Sequence, residues 1–143
     1  MTTIKTMQLE IVSAEAAIFS GKVKRINATG IAGELGIYPG HRQLLTFLKL
    51  GQISILLEVG GEDIFYISGG MLEVQPEIVT VLADTVLRVA DLDESVALVA
   101  KERSERQLAK QKSGVEYSKA MRELAEAIIQ LRIIQSIRKR ERH

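Results

Sequence analysis

Asp84-Thr85-Val86-Leu87-Arg88-Val89-Ala90-Asp91-Leu92-Asp93 is the stretch at which the chain changes period. Before it, apolar residues tend to recur at every second position and glycines punctuate the chain. After it, they recur every third or fourth position, and Gly114 is the one glycine left. Period 2 is the signature of a strand and period 3.6 that of a helix. The stretch therefore reads as a seam between a β unit, residues 1–87, and a helical unit, residues 88–143.

Upstream of the seam, residues 71–75, the Pro76-Glu77 pair and residues 78–82 read as a hairpin. Pro76 belongs at the turn because proline cannot donate to a ladder. Residues 52–59, Gly60-Gly61 and residues 62–68 read as a second hairpin, in which the glycines supply positive φ for a two-residue turn. Met7, Leu9 and Ile11 alternate with Gln8 and Glu10, the pattern of a half-buried strand. Residues 23–28 are a weaker strand, and Lys24-Arg25 breaks the alternation as a bulge or edge would. Short strands between Gly and Pro turns imply a sandwich or flattened barrel.

Downstream, Asp91 with Glu94 has capping-box spacing for a first helix. Its apolar stripe is Leu92, Val96, Val99 and Ala100, and Glu102 and Arg106 form an i,i+4 pair. The run 101–112 is charged almost all round, so this helix leans on a neighbour. Ser113-Gly114 breaks the helix, and Ser113 with Glu116 repeats the capping box. Tyr117, Met121, Leu124, Ile128 and Leu131 then form a 3.5-residue seam suited to antiparallel packing. Ile129, Ile133 and Ile137 fall outside that seam. One helix cannot cover both rows, so the isoleucines either rest on the β unit or await another protein.

Composition narrows the function. Apolar residues make up 46% of the chain and aromatics 4%, with no tryptophan, so Ile, Leu, Val and Ala must build the core. There is no cysteine, which removes disulfides and thiolate chemistry and fits a reducing compartment. The N-terminal residues show no signal peptide, and residues 53–59 are too short to span a bilayer, so a soluble, cytoplasmic chain is expected. Residues 1–87 carry six basic and nine acidic side chains, and residues 88–143 carry thirteen and nine. An acidic body and a basic tail suit different partners.

No catalytic constellation stands out. The glycine-rich stretch 30–41 lacks a following Gly-Lys-Ser/Thr and opens no amphipathic helix, so it reads as turn chemistry rather than a phosphate cradle. His41 has no companion ligand for a metal. No serine lies in a Gly-x-Ser-x-Gly setting. The chain closes on Arg138-Lys139-Arg140-Glu141-Arg142-His143, more positive charge than a helix dipole needs. An acidic protein surface would accept it. Nucleic acid is disfavoured, since no aromatic interleaves the cluster and the net charge is only +1.

Five motifs add a resemblance. Val12-Ser13-Ala14-Glu15, Phe19-Ser20-Gly21, Gly33-Glu34-Leu35-Gly36-Ile37-Tyr38-Pro39-Gly40-His41, Ser68-Gly69-Gly70-Met71-Leu72-Glu73-Val74-Gln75-Pro76 and Val79-Thr80-Val81-Leu82-Ala83-Asp84 closely resemble the epsilon subunit of bacterial F-type ATP synthase. Their order and spacing match, and the resemblance covers essentially the whole chain. It implies a ten-stranded β-sandwich followed by an antiparallel α-helical hairpin. It also implies a non-catalytic rotor subunit of the central stalk, peripheral on the cytoplasmic face of the bacterial inner membrane. Its implied partners are the gamma subunit and the c-ring through the sandwich, and the alpha and beta subunits through the helices.

In that family proton flow turns ring and stalk together, and the tail can open to block ATP hydrolysis. The ring-facing loop corresponds to residues 34–41, which makes Glu34, Tyr38 and His41 the expected ring contacts on a tight turn. Arg132, Ile133, Ile137, Arg138, Lys139 and Arg140 are the expected inhibitory residues, the cations facing an acidic segment of beta. Some members bind ATP through Ile/Leu-Asp-x-x-Arg-Ala. Here the stretch is Leu92-Asp93-Glu94-Ser95-Val96-Ala97, with Val96 in the arginine's place, and Glu126 and Gln130 align with two further arginines. Weak or no ATP binding follows, because charge-assisted contacts are the strong ones. The alternative is a free-standing adaptor whose basic tail binds nucleic acid or an acidic protein. A pull-down that recovers gamma or RNA separates the two.

Overall fold

The computed structural model describes residues 5–141. Most of the N-terminal stretch read for a signal peptide, and Arg142 and His143 of the basic end, lie outside the described residues. The chain divides into two compact units, Met1–Arg88 and Val89–His143. Among the described residues, no helix is long and apolar enough to cross a membrane.

The first unit holds β1 (Met7–Ser13), β2 (Ala17–Gly30), β3 (Gly33–Ile37), β4 (Leu44–Leu57), β5 (Glu62–Ile67), β6 (Gly70–Val74), β7 (Ile78–Ala83) and β8 (Val86–Arg88). Their order is β3-β2-β1-β7-β6-β4-β5-β8, and β2 also pairs with β4, which closes the sheet on itself. The two 14-residue strands make the closure possible. The first half of β2 pairs with β1, and its second half with β3 and β4. The first half of β4 pairs with β6, and its second half with β5 and β2. Each long strand thus serves both layers of a sandwich. Counting their halves separately turns eight continuous strands into the ten that the family resemblance implies.

The bend in β2 falls where the sequence breaks alternation. Its register with β4 skips between Val23 and Arg25, so Lys24 is the bulged residue. A bulge turns the strand and strengthens its twist, as closure requires. Inward-facing residues then meet between the layers: Leu9, Ile11, Ile26, Ile53, Phe65 and Val81 are all fully buried. Each contributes about 1.5–3 kcal/mol relative to exposure. The sparse aromatics are concentrated, with Phe19 edge-on to Phe65 at 6.0 Å between centroids. Gly70 opens β6 with φ +151°, and a Cβ there would lie 2.1 Å from the Leu82 carbonyl oxygen. Only glycine lets β6 and β7 approach that closely.

At the last strand, Arg88 donates to Asp63 at 2.5 Å and lies over the Phe65 ring at 5.0 Å from its centroid. Ion pair and ring together hold β8 on β5 at the unit's final residue.

The second unit begins with a 3-10 turn, Val89–Asp91, followed by α1 (Glu94–Lys110) and α2 (Val115–Glu141). The helices form an antiparallel hairpin whose open end is closed by an ion pair between Glu94 and Arg138. Buried positions on α1 are Ala97 and Ser104, and on α2 Ala120, Ala127, Leu131 and Ile133. Ser104 is satisfied within its own helix, donating to the Ala100 carbonyl at 2.8 Å.

Several local expectations change. The turn after β4 spans the four residues between Leu57 and Glu62, and Leu57 N–H donates to the Gly61 carbonyl across it. Only Gly60 of the glycine pair has positive φ. The glycine-rich stretch contains a strand, β3, hairpinned to β2 through Ile31-Ala32. Asp93, not Asp91, caps α1: its side chain accepts from Ser95 N–H at 2.8 Å and Val96 N–H at 3.4 Å. The 3-10 turn takes up Asp91 and delays the helix. Gly114 accepts the first helical bond of α2, from Ser118 N–H, so the Ser113–Glu116 box is one residue out of phase.

The stripe expected on α1 is largely outside, since Val96 and Val99 are 63% and 58% exposed. Met121 is also exposed, and Ala120 and Ala127 take the buried places beside Leu131. Among the described residues, no ion pair joins Glu102 to Arg106.

Candidate functional site

Three surfaces stand out, all suited to protein docking rather than chemistry. The first surrounds β3. Tyr38 follows it, 58% exposed. His41 N–H donates to the Tyr38 carbonyl at 3.1 Å, and Gly40 N–H donates to the Pro76 carbonyl at 3.0 Å. The His41 ring is fixed by a 2.7 Å contact between Nδ1 and the Arg42 carbonyl. Tyr38 and His41 therefore share one turn, tied to the β6–β7 turn beside it. Glu34 does not sit on that turn. It lies within β3 opposite Thr29, about 13 Å along the strand from Tyr38. Its carboxylate accepts from the Thr29 hydroxyl at 3.0 Å. The expected tight turn is a strand with a turn at its end, and the expected contacts spread along it.

The second surface escaped the sequence reading. In register across one sheet lie Phe47, Met71, Leu82 and Val12. They face outward, for their neighbours Leu48, Leu72, Val81 and Ile11 are buried. Phe47 is 58% exposed and Leu82 52%. With Gly69 and Gly70 the four line a shallow groove of about 640 Å3. Ile31 adjoins it through its N–H bond to the Phe47 carbonyl. Two positions along, the outward row is instead mostly polar: Leu45, Glu73, Thr80 and Glu10. There the Glu10 carboxylate accepts from Gln8 and Ser20, each at 2.8 Å. These bonds, Gln8 first, hold its carboxyl below the ordinary 4.5. The available signal was Leu44-Leu45-Thr46-Phe47-Leu48, a run too apolar for a strand with one wet face.

The third surface is the end of α2. Arg132, Arg138, Lys139 and Arg140 are exposed, Ile133 is buried and Ile137 half-buried. Arg132, Gln135, Ser136 and Lys139 follow helical spacing and share one face. Arg138 is engaged by Glu94.

At the residues aligned with the ATP motif, the Asp93 carboxylate serves as the α1 cap, Leu92 is half-buried, Val96 is exposed and Ala97 buried. The Val96 position offers no cation to a phosphate.

Comparison with known proteins bears on both units. Residues 6–89 match the family described as ATP synthase, Delta/Epsilon chain, beta-sandwich domain. Residues 90–135 match ATP synthase, Delta/Epsilon chain, long alpha-helix domain. The chain is similar to an ATP synthase epsilon chain of Nitrosococcus oceani, 53% identical over 135 residues, covering 94% of this chain and 96% of the relative. Among solved structures it resembles a chain of the Euglena gracilis mitochondrial ATP synthase OSCP/F1/c-ring assembly, at a TM-score of 0.70 and 20% identity over 96% of this chain and 83% of that one. A chain of the Tetrahymena thermophila mitochondrial ATP synthase central stalk and c-ring gives a TM-score of 0.50 at 19% identity, over 63% and 72%. At those identities the structural likeness speaks to the fold.

Proposed function

The chain belongs to the ATP synthase epsilon-chain family, and from that premise we propose a non-catalytic rotor subunit whose β unit is clamped between partners and whose helical unit restrains ATP hydrolysis. The single observation that carries the clamp is the apolar row Val12, Phe47, Met71 and Leu82. An outer sheet face left to water is ordinarily polar, and a contiguous apolar row marks a protein interface. We assign it to the gamma subunit. Glu34, Tyr38 and His41 face the c-ring, the two aromatic rings held on a turn braced by Pro76. Proton-driven rotation of the ring then reaches the catalytic head through a unit whose closed sheet resists twisting.

The restraint is assigned to Arg132, Ile133, Ile137, Arg138, Lys139 and Arg140, directed at the alpha and beta subunits. Cations at a helix C-terminus are favoured by the dipole, and an acidic partner relieves their mutual repulsion. The exposed Val96, Val99 and Met121 leave apolar surface for a second arrangement of the hairpin, as a bistable element requires. The membrane is met only through the complex, at the cytoplasmic face of the bacterial inner membrane.

Assembly and hydrolysis assays separate the two roles. Leu82→Glu leaves the core intact and is expected to abolish recovery of gamma, and Glu34→Lys to loosen ring coupling. Ending the chain after Arg88 keeps β8 anchored and should raise ATP hydrolysis several-fold with assembly unchanged. Normal assembly with Leu82→Glu would remove the gamma assignment. Unaltered hydrolysis after truncation would remove the restraint.

A further inference from the structure

The open end of the helical hairpin carries opposite charges on its two helices. Asp91, Asp93 and Glu94 lead into α1, and Arg138, Lys139 and Arg140 lead out of α2. Asp93 is committed to the backbone of Ser95 and Val96 as the cap. Glu94 is free of that duty, and its Oε2 pairs with Nη2 of Arg138, 44 residues on. Each partner also sits where its own helix dipole favours its charge, Glu94 in a first turn and Arg138 in a last. Neither needs the other to stay helical. The Arg138 side chain is 55% exposed and that of Glu94 33%, so an incoming carboxylate can reach the guanidinium without unfolding either helix.

We propose that Glu94 is an internal stand-in for an acidic protein partner: it occupies Arg138 in the closed hairpin and is displaced when a partner's carboxylate takes its place. The inference deepens the restraint assigned above and rests on it for its physiological meaning. The contact sets a threshold. With Nη2 given to Glu94, Arg138 offers a partner its full two-pronged face only after that bond is released, so bidentate pairing with weakly acidic surfaces is disfavoured. An exposed pair of this kind is worth a few-fold in an equilibrium, enough to bias a switch without locking it.

The test uses the full chain and a fluorescein-labelled hexaglutamate peptide as probe, titrated at about 20 mM salt, where screening is weak. Glu94→Gln should bind the peptide about two- to fivefold more tightly than the unaltered protein. Glu116→Gln removes the same charge roughly 33 Å along α2 from Arg138 and should gain far less. On an Arg138→Gln background, Glu94→Gln should gain no more than Glu116→Gln. Equal gains for Glu94→Gln and Glu116→Gln overturn the proposal, as does a Glu94→Gln gain that survives loss of Arg138, or no binding by any variant. The restraint itself is judged separately, by hydrolysis of the assembled complex with the chain ended after Arg88, so the two failures are distinguishable.

Discussion

The two units are held together in different ways. In the β unit, neighbours in space are distant in sequence: β1 runs parallel to β7, and β2 lies against β4. Large branched side chains fill the space between the layers with no exposure at all. In the helical unit the two packed elements are adjacent in sequence, and several buried positions are small: Ala97, Ser104, Ala120 and Ala127. Val96, Val99 and Met121 remain exposed. The first unit, a closed, non-local core, is expected to open as a whole, and the second, a local seam with an ionic clasp between Glu94 and Arg138, to open separately.

That contrast can be broken most forcefully at its core. Phe65→Ala removes the ring that packs on Phe19 and carries Arg88. It should lower the stability of the β unit by about 3–5 kcal/mol, read by denaturant titration. Gly70→Ala should come next. Its methyl would enter the Leu82 carbonyl at a φ that side chains rarely adopt, and loss of β6–β7 pairing should appear as loss of amide protection in both strands. In the helical unit, Ala127→Leu forces a large side chain into the seam. It should destabilise the hairpin by about 1–3 kcal/mol while the β unit unfolds unchanged.

The smallest effect belongs to Glu10. Its carboxyl is held below 4.5 by Gln8 and then Ser20, so its contribution is present above that pH and fades as pH falls through the depressed value. An acid titration of stability should lose a small increment there, and Glu10→Gln should not show it.

How much was legible follows from the same contrast. Strand β1, the β6–β7 hairpin with Pro76 at its turn, and the bulge at Lys24 were readable because alternation and proline act locally. The first half of β4 was not, since Leu44-Leu45-Thr46-Phe47-Leu48 is apolar on both faces and gives no period. Strand β3 hid inside glycines because its place is fixed by pairing with β2, not by its own propensity. On the helices, hydrophobicity pointed to Val96, Val99 and Met121, whereas packing chose the small residues beside them. Helix seams are set by shape as much as by greasiness. Tyr38 and His41 share one turn, but Glu34, expected on that turn with His41, lies along a strand. The apolar row on the outer sheet needed the register of four strands to be seen at all.

Native-state hydrogen exchange on the isolated full chain addresses the central contrast directly. Amides of β1, β7 and the second half of β4 should exchange only through global opening of the β unit. Those of α1 and α2 should exchange at least tenfold faster, with a dependence on denaturant that marks a separate, smaller opening. If the helices are as protected as the strands and share their denaturant dependence, the two units open as one and the account of an independently releasable hairpin is wrong.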